Sequence, residues 1–245
     1  MILVTIFIGV FMKALLIVSL LITTFCVHGK VQGHESDLKP KGEFVDEDKI
    51  KTPSQAIEEL KKGNLRFLDG KQLKQDFLSQ VKATSAGQHP YAVVLSCLDS
   101  RVPPEIIFDQ GIGDIFVARV AGNIENQDIL GSLEFATKVK GSKVIVVLGH
   151  SSCGAIEGAC QDVKLGNLTG LLAEVEPAIK KVSKKHSNLD KSSKEFSEHV
   201  SDENVQQTVK DLMWRSEIIK TLVKEGKLLV VGAKYDVATG KVSFF

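Results

Sequence analysis

The sequence has almost no net charge. Its 31 Lys and Arg stand against 30 Asp and Glu, leaving a formal +1, so no global field draws the chain to nucleic acid or to an anionic membrane surface. The one Lys-rich stretch, residues 180–194, is interleaved with Ser and Asp and reads as a solvated helix and loop surface. Internal repeats are absent. Cysteine is scarce, with Cys26, Cys97, Cys153 and Cys160 the only four; if Cys26 leaves with the N-terminal segment, three remain, an odd number for a disulfide framework. What is present is an ordinary globular composition, 43% hydrophobic and 25% charged over 245 residues, enough for one sizeable core.

The first 27 residues carry a single charge, Lys13, and are otherwise apolar with small polar residues. From Met12 the order is a basic start, an apolar stretch over 14–25 and small residues around Gly29 and Gly33. That layout is a secretory signal over residues 1–29, with Met12 a possible true start, and it implies an exported chain, periplasmic or secreted. The stretch is also long enough to remain as an uncleaved anchor, and Cys26 is a conceivable lipidation site with Phe25 a poor neighbour for it; cleavage and export is the expectation. Residues 30–51 then read as a polar linker, and residues 52–245 as the folded domain.

Within that domain Thr52-Pro53-Ser54 opens a helix, with Pro in the first turn and Glu58-Glu59 near the positive end. Ala56, Ile57, Leu60, Leu65, Phe67 and Leu68 keep helical spacing, and Gly63 weakens the middle. A second helix is expected over 71–84. Apolar runs predict strands over 91–97, 115–119, 144–149 and 228–231. Helical patterns lie between them over 127–139, 156–165 and 205–224. A Thr239-Gly240 turn between short strands predicts a hairpin over 233–242. The fold class is α/β: a parallel-sheet core with flanking helices, an N-terminal helical arm and a C-terminal β-hairpin.

Two short segments sit just past strand ends, where open α/β sheets carry their chemistry. They are Cys97-Leu98-Asp99-Ser100-Arg101 and His150-Ser151-Ser152-Cys153. Two thiols and one imidazole on one rim give three zinc ligands and leave a fourth position for water. Adjacency of the two strands is not given by sequence alone, and Cys97 with Cys153 also fits a disulfide in an exported protein. A disulfide needs neither His150 nor the acid–base pair Asp99 and Arg101. A carboxylate two residues from a ligand either orients the water or fills the fourth position, and Arg101 is placed to hold it by a bidentate pair. Cys160 reads as a small buried side chain of the following helix.

These residues resemble the β-class carbonic anhydrases, from the helix near Pro53 to Phe245. Ser100-Arg101-Val102-Pro103-Pro104-Glu105, the run from Asp114 to Asn123, Leu148-Gly149-His150-Ser151-Ser152-Cys153-Gly154 and Val231-Gly232-Ala233-Lys234-Tyr235-Asp236 carry the likeness. The resemblance implies zinc held by Cys97, His150 and Cys153, Asp99 and Arg101 as a catalytic dyad, and reversible hydration of carbon dioxide to bicarbonate and a proton by hydroxide formed on the metal. It assigns Gln88, Phe116, Phe135 and Gly154 to the substrate pocket, Phe135 standing where some relatives carry Tyr. It implies a homodimer or a dimer-based higher oligomer whose pockets are lined from both subunits. Hydrolysis of a sulfur analogue of carbon dioxide on the same fold, and non-enzymatic zinc binding, are the alternatives.

Overall fold

The computed structural model describes residues 50–245; the expected signal segment, and the expected linker apart from Ile50 and Lys51, lie outside the described residues. Helix α1 (Pro53–Leu68) opens as expected. Thr52 caps it, its hydroxyl accepting from the Gln55 N–H while the Gln55 side chain accepts from the Thr52 N–H, so two orphan donors are satisfied reciprocally. Gly63 has a reason beyond helix propensity: a Cβ there would lie 1.8 Å from the Phe108 carbonyl oxygen, so only glycine lets α1 approach this loop.

The expected second helix is shorter. It covers only α2 (Phe77–Thr84), because Asp76 caps it by accepting from the Ser79 N–H, and the preceding chain is held extended where Leu73 N–H donates to Asp109. Then come β1 (Ala92–Ser96), the single turn α3 (Pro104–Ile107), β2 (Ile115–Arg119), and α4 (Gln127–Glu134), which runs on as a π-turn through Phe135–Val139. Strand β3 (Val144–His150) is followed by α5 (Gly154–Cys160), α6 (Gly166–Ala173), α7 (Glu176–Lys185), α8 (Lys194–Arg215), α9 (Glu217–Lys224), β4 (Leu229–Tyr235) and β5 (Val242–Phe244). The helix expected over 156–165 thus starts and stops earlier. That expected over 205–224 is two helices, because Ser216 ends α8 and caps α9 through the Ile219 N–H.

The sheet order is β2-β1-β3-β4-β5, the first four parallel and β5 antiparallel to β4. Strands β1 and β3 are buried at every position, as a parallel sheet covered on both faces requires. Ala92, Val94, Val144 and Val146 pack with Ala56, Ile57 and Leu60 of α1 and with Phe108. Val93, Leu95, Ile145 and Val147 pack on the other face with Leu133, Val205, Leu212 and Ile219. Strand β4 is longer than expected and runs straight into the hairpin. Gly232 interrupts nothing: a Cβ there would stand 2.8 Å from Val205 and 3.0 Å from Phe245, so glycine lets α8 and the C-terminus close over the strand. Among the described residues, no helix is long and apolar enough to cross a membrane.

Candidate metal centre

Because β1 and β3 are neighbours in register, with Ser96 beside Leu148, the residue after β1 and the last residue of β3 arrive at one rim. Cys97, His150 and Cys153 are all buried, and their ligand atoms lie within 4.8 Å of one another. The two sulfurs stand 3.9 Å apart. A disulfide needs about 2.05 Å between sulfurs, and both thiols are free. Two thiolates each about 2.3 Å from one tetrahedral ion stand about 3.8 Å apart, so the observed spacing suits a shared metal.

His150 is oriented by its own loop. Its Nδ1 lies 2.9 Å from the Ser151 carbonyl oxygen, which can only accept, so Nδ1 carries the proton and Nε2 is left with a free lone pair. That Nε2 is buried without a hydrogen-bond partner among the described residues, a costly state that a cation would relieve. Cys97 Sγ accepts from the Gly122 N–H at 3.4 Å. The Cys153 thiol, with smaller contributions from His150 and this bond, pulls the Cys97 thiol well below its ordinary range against the effect of burial, while the neighbouring Cys97 sulfur and burial push Cys153 up. Two thiolates this close repel each other, and a divalent cation bound between them would offset that charge.

Asp99 and Arg101 form the bidentate pair expected. Arg101 Nε and Nη2 donate to the two carboxylate oxygens at 2.9 and 2.7 Å, and the Arg101 N–H donates to Oδ1 at 2.9 Å. The guanidinium holds the Asp99 carboxyl down to about 2. Asp99 Oδ2 is 4.0 Å from His150 Nε2, so the carboxylate borders the ligand cluster while bound to Arg101. Gly154, exposed at the start of α5, has nothing within 4 Å of a Cβ position.

The other residues expected in the substrate pocket stand away from this cluster. Gln88 is exposed before the amino end of β1, the end opposite Cys97. Phe116 pairs with Val93 on the edge strand β2 and meets Phe135 edge-on, with centroids 6.3 Å apart. Both line a cleft of about 620 Å³ between β2 and α4, whose lining includes none of the three ligands. Cys160 ends α5 half-buried rather than fully buried, and burial pushes its thiol up to about 11.

Several residues with no role assigned from the sequence brace the site through its main chain. Arg119, at the end of β2, donates to the carbonyls of Cys97 and Asp99 at 3.0 and 2.5 Å. From α8, Asn204 donates to the Gly122 carbonyl, Ser201 to the His150 carbonyl, and Glu198 accepts from the Ser152 N–H at 2.7 Å. Lys234 of β4 pairs with Glu198 and Asp202, both at 2.7 Å. Burial opposes the charge on Glu198, yet Lys234 and the Ser152 N–H keep its pKa below the ordinary value.

Residues 92–242 match the family model described as carbonic anhydrase. A protein named carbonic anhydrase 2 from Mycobacterium tuberculosis is 38% identical over 195 residues, covering 77% of this chain and 91% of the relative. The carbonic anhydrase of Mycolicibacterium smegmatis is 37% identical over 197 residues, covering 78% and 92%. Among solved structures, the β-carbonic anhydrase CcaA superposes with a TM-score of 0.64 at 27% identity, over 77% of this chain and 94% of that one. A tetrameric β-carbonic anhydrase from Sordaria macrospora gives 0.62 at 26% identity, over 67% and 84%. Sequence likeness along nearly the full length of the mycobacterial relatives, and a shared sheet, make the conclusion plain: the chain belongs to the β-carbonic anhydrase family and is a carbonic anhydrase.

Proposed function

We propose that the chain binds one zinc ion through Cys97, His150 and Cys153 and with it interconverts carbon dioxide and bicarbonate. The observation that carries this reading is the buried, unpartnered His150 Nε2 facing two thiols at the spacing of a shared ion. When bound, zinc supplies the Lewis acidity that lets water act as a nucleophile near neutral pH. Asp99, ionised and fixed by Arg101, accepts a hydrogen bond from that water and orients it. Arg101 keeps the carboxylate from taking the fourth ligand position itself. Cys97 and Cys153, both negative when the metal is present, offset its charge.

The pocket is completed by a second copy of the chain. Gln88, Phe116 and Phe135 do not gather around their own ligand cluster, and Phe135 is 47% exposed beside the open edge of β2. A dimer brings these residues to the partner's metal site, where the phenylalanines keep the pocket dry and the Gln88 amide binds bicarbonate. The protein is exported, its N-terminal segment being removed near residues 29–34.

Stopped-flow carbon dioxide hydration, measured beside zinc content, tests the reading. The wild-type chain is expected to be active with zinc bound, and Cys97→Ser to lose both; a zinc-loaded, folded protein without hydration activity refutes it. Intact-mass analysis of the protein from its native host tests export, and a chain that keeps Met1 or Met12 refutes cleavage.

A further inference from the structure

We propose that Glu198 serves the metal site as an outer carboxylate that acts on His150 through a peptide group, with Lys234 setting its strength. The proposal rests on the zinc reading above. A histidine ligand commonly donates its second ring N–H to a carboxylate, which raises the basicity of the nitrogen facing the metal. Here the ring donates to a main-chain carbonyl instead. His150 Nδ1 lies 2.9 Å from the Ser151 oxygen, and the N–H of that same peptide unit, belonging to Ser152, donates to Glu198 Oε1 at 2.7 Å. One planar amide thus stands between imidazole and carboxylate, accepting from one and donating to the other.

Consecutive hydrogen bonds polarise one another, by roughly 10–30% per bond. A negative charge at the N–H end of the amide draws the proton, shifts electron density to the carbonyl oxygen and makes it a better acceptor for Nδ1–H. The imidazole then becomes a stronger donor at Nε2. The arrangement is built rather than incidental. Ser152 has φ +52°, an uncommon conformation for a residue other than glycine, in the turn whose N–H meets α8. Lys234 reaches Glu198 Oε2 at 2.7 Å from β4 and is itself shared with Asp202 one turn along the helix, so the carboxylate is fixed and partly neutralised. The next peptide carries the other branch, since the Ser152 carbonyl accepts from Arg101 Nη2 at 3.0 Å. One residue therefore links the helix carboxylate to both the histidine ligand and the Asp99–Arg101 pair. Glu198 is a positioning residue, since it touches neither the metal nor substrate.

Glu198→Gln keeps an acceptor for the Ser152 N–H and removes the charge. Zinc affinity is read by chelator competition on the full chain, and the Nδ1–H proton of His150 is followed by NMR in both metal-free and zinc-loaded protein. The expected result is roughly tenfold weaker zinc binding with the Nδ1–H resonance moved upfield. Lys234→Met, which strips the neutralising cation from Glu198, moves the same resonance downfield and keeps the proposal testable if the first variant fails to fold. A carboxylate that merely anchors α8 leaves the resonance of Glu198→Gln in place, whatever the affinity does, and that result overturns the proposal. A wild-type chain that takes up no zinc refutes the zinc reading separately, since the metal-free spectrum still reports on the relay.

Discussion

The Asp99 carboxylate lies 4.0 Å from His150 Nε2 and is turned to Arg101, which it meets through two side-chain bonds and one main-chain bond. A carboxylate this close to the cluster, if released, could itself serve as a ligand to a metal held by Cys97, His150 and Cys153. What prevents it is the bidentate fork, fixed at its far side by the Ser152 carbonyl. Removal of the fork frees the carboxylate. Arg101→Ala is therefore expected to retain zinc and lose most hydration activity, with Asp99 bound to the metal. Arg101→Lys restores little, because an ammonium cannot form the paired bonds. Zinc analysis with a crystal structure of Arg101→Ala checks this, and water still bound with Asp99 remote contradicts it.

Arg119 acts one layer out. It is exposed, and its guanidinium donates to the carbonyls of Cys97 and Asp99, so those bonds help set where Cys97 and the Asp99 carboxylate stand. Arg119→Leu is expected to lower kcat about tenfold, the cost of roughly 1.4 kcal/mol in the barrier, while zinc content stays near wild type. Steady-state kinetics beside metal analysis would show it, and unchanged kcat would reduce Arg119 to a surface residue.

Arg119 also marks where the sequence becomes hard to read. The clustering of Cys97, His150 and Cys153 and the pairing of Asp99 with Arg101 were legible because each lies within a few residues of an apolar strand end, and strand ends of a parallel sheet share a rim. The braces were not, since Arg119 and Glu198 act through main-chain atoms 22 and 46 residues away and no local period marks such a contact. Helix α8 was missed over its first half for a related reason. Its buried positions there include Ser197, Ser201 and Asn204, polar residues that erase the apolar stripe, Ser201 and Asn204 by facing inward to bind the carbonyls of His150 and Gly122. The strand expected to end at 231 runs on to Tyr235 through Gly232, where close packing of Val205 requires a glycine in mid-strand.

Asp114 gives a pH signature in stability. Burial raises its carboxyl from 3.8 to about 6, with Glu59 and Asp109 adding repulsion. The native state therefore holds this proton more tightly than the unfolded chain, and stability from this group declines as pH rises from about 4 through about 6. Asp114→Asn keeps a side-chain acceptor for the Gly111 N–H, now at 2.6 Å, without the charge. Its Tm is expected to exceed the wild-type value at pH 8 by on the order of 5 °C and to show no advantage at pH 4. Scanning calorimetry at the two pH values decides, and a pH-independent difference contradicts the assignment.

The proposal that a second copy completes the pocket predicts complementation. Cys97→Ser lacks a metal site but carries Gln88, and Gln88→Ala is its converse. When the two are unfolded together and refolded, mixed dimers are expected to show one intact pocket each and to exceed the summed activity of the separately treated variants. No gain places Gln88 outside the partner's pocket.

The central claim is that three side chains from two strand ends hold a catalytic zinc. Zinc titrated into stripped protein, with carbon dioxide hydration recorded at each addition, tests it most directly. The account predicts activity rising in proportion to bound metal and saturating at one zinc per chain, for wild type and for Cys160→Ser alike, with no rise in Cys153→Ser. Full activity before metal is added, or a metal-dependent rise that survives Cys153→Ser, would contradict it.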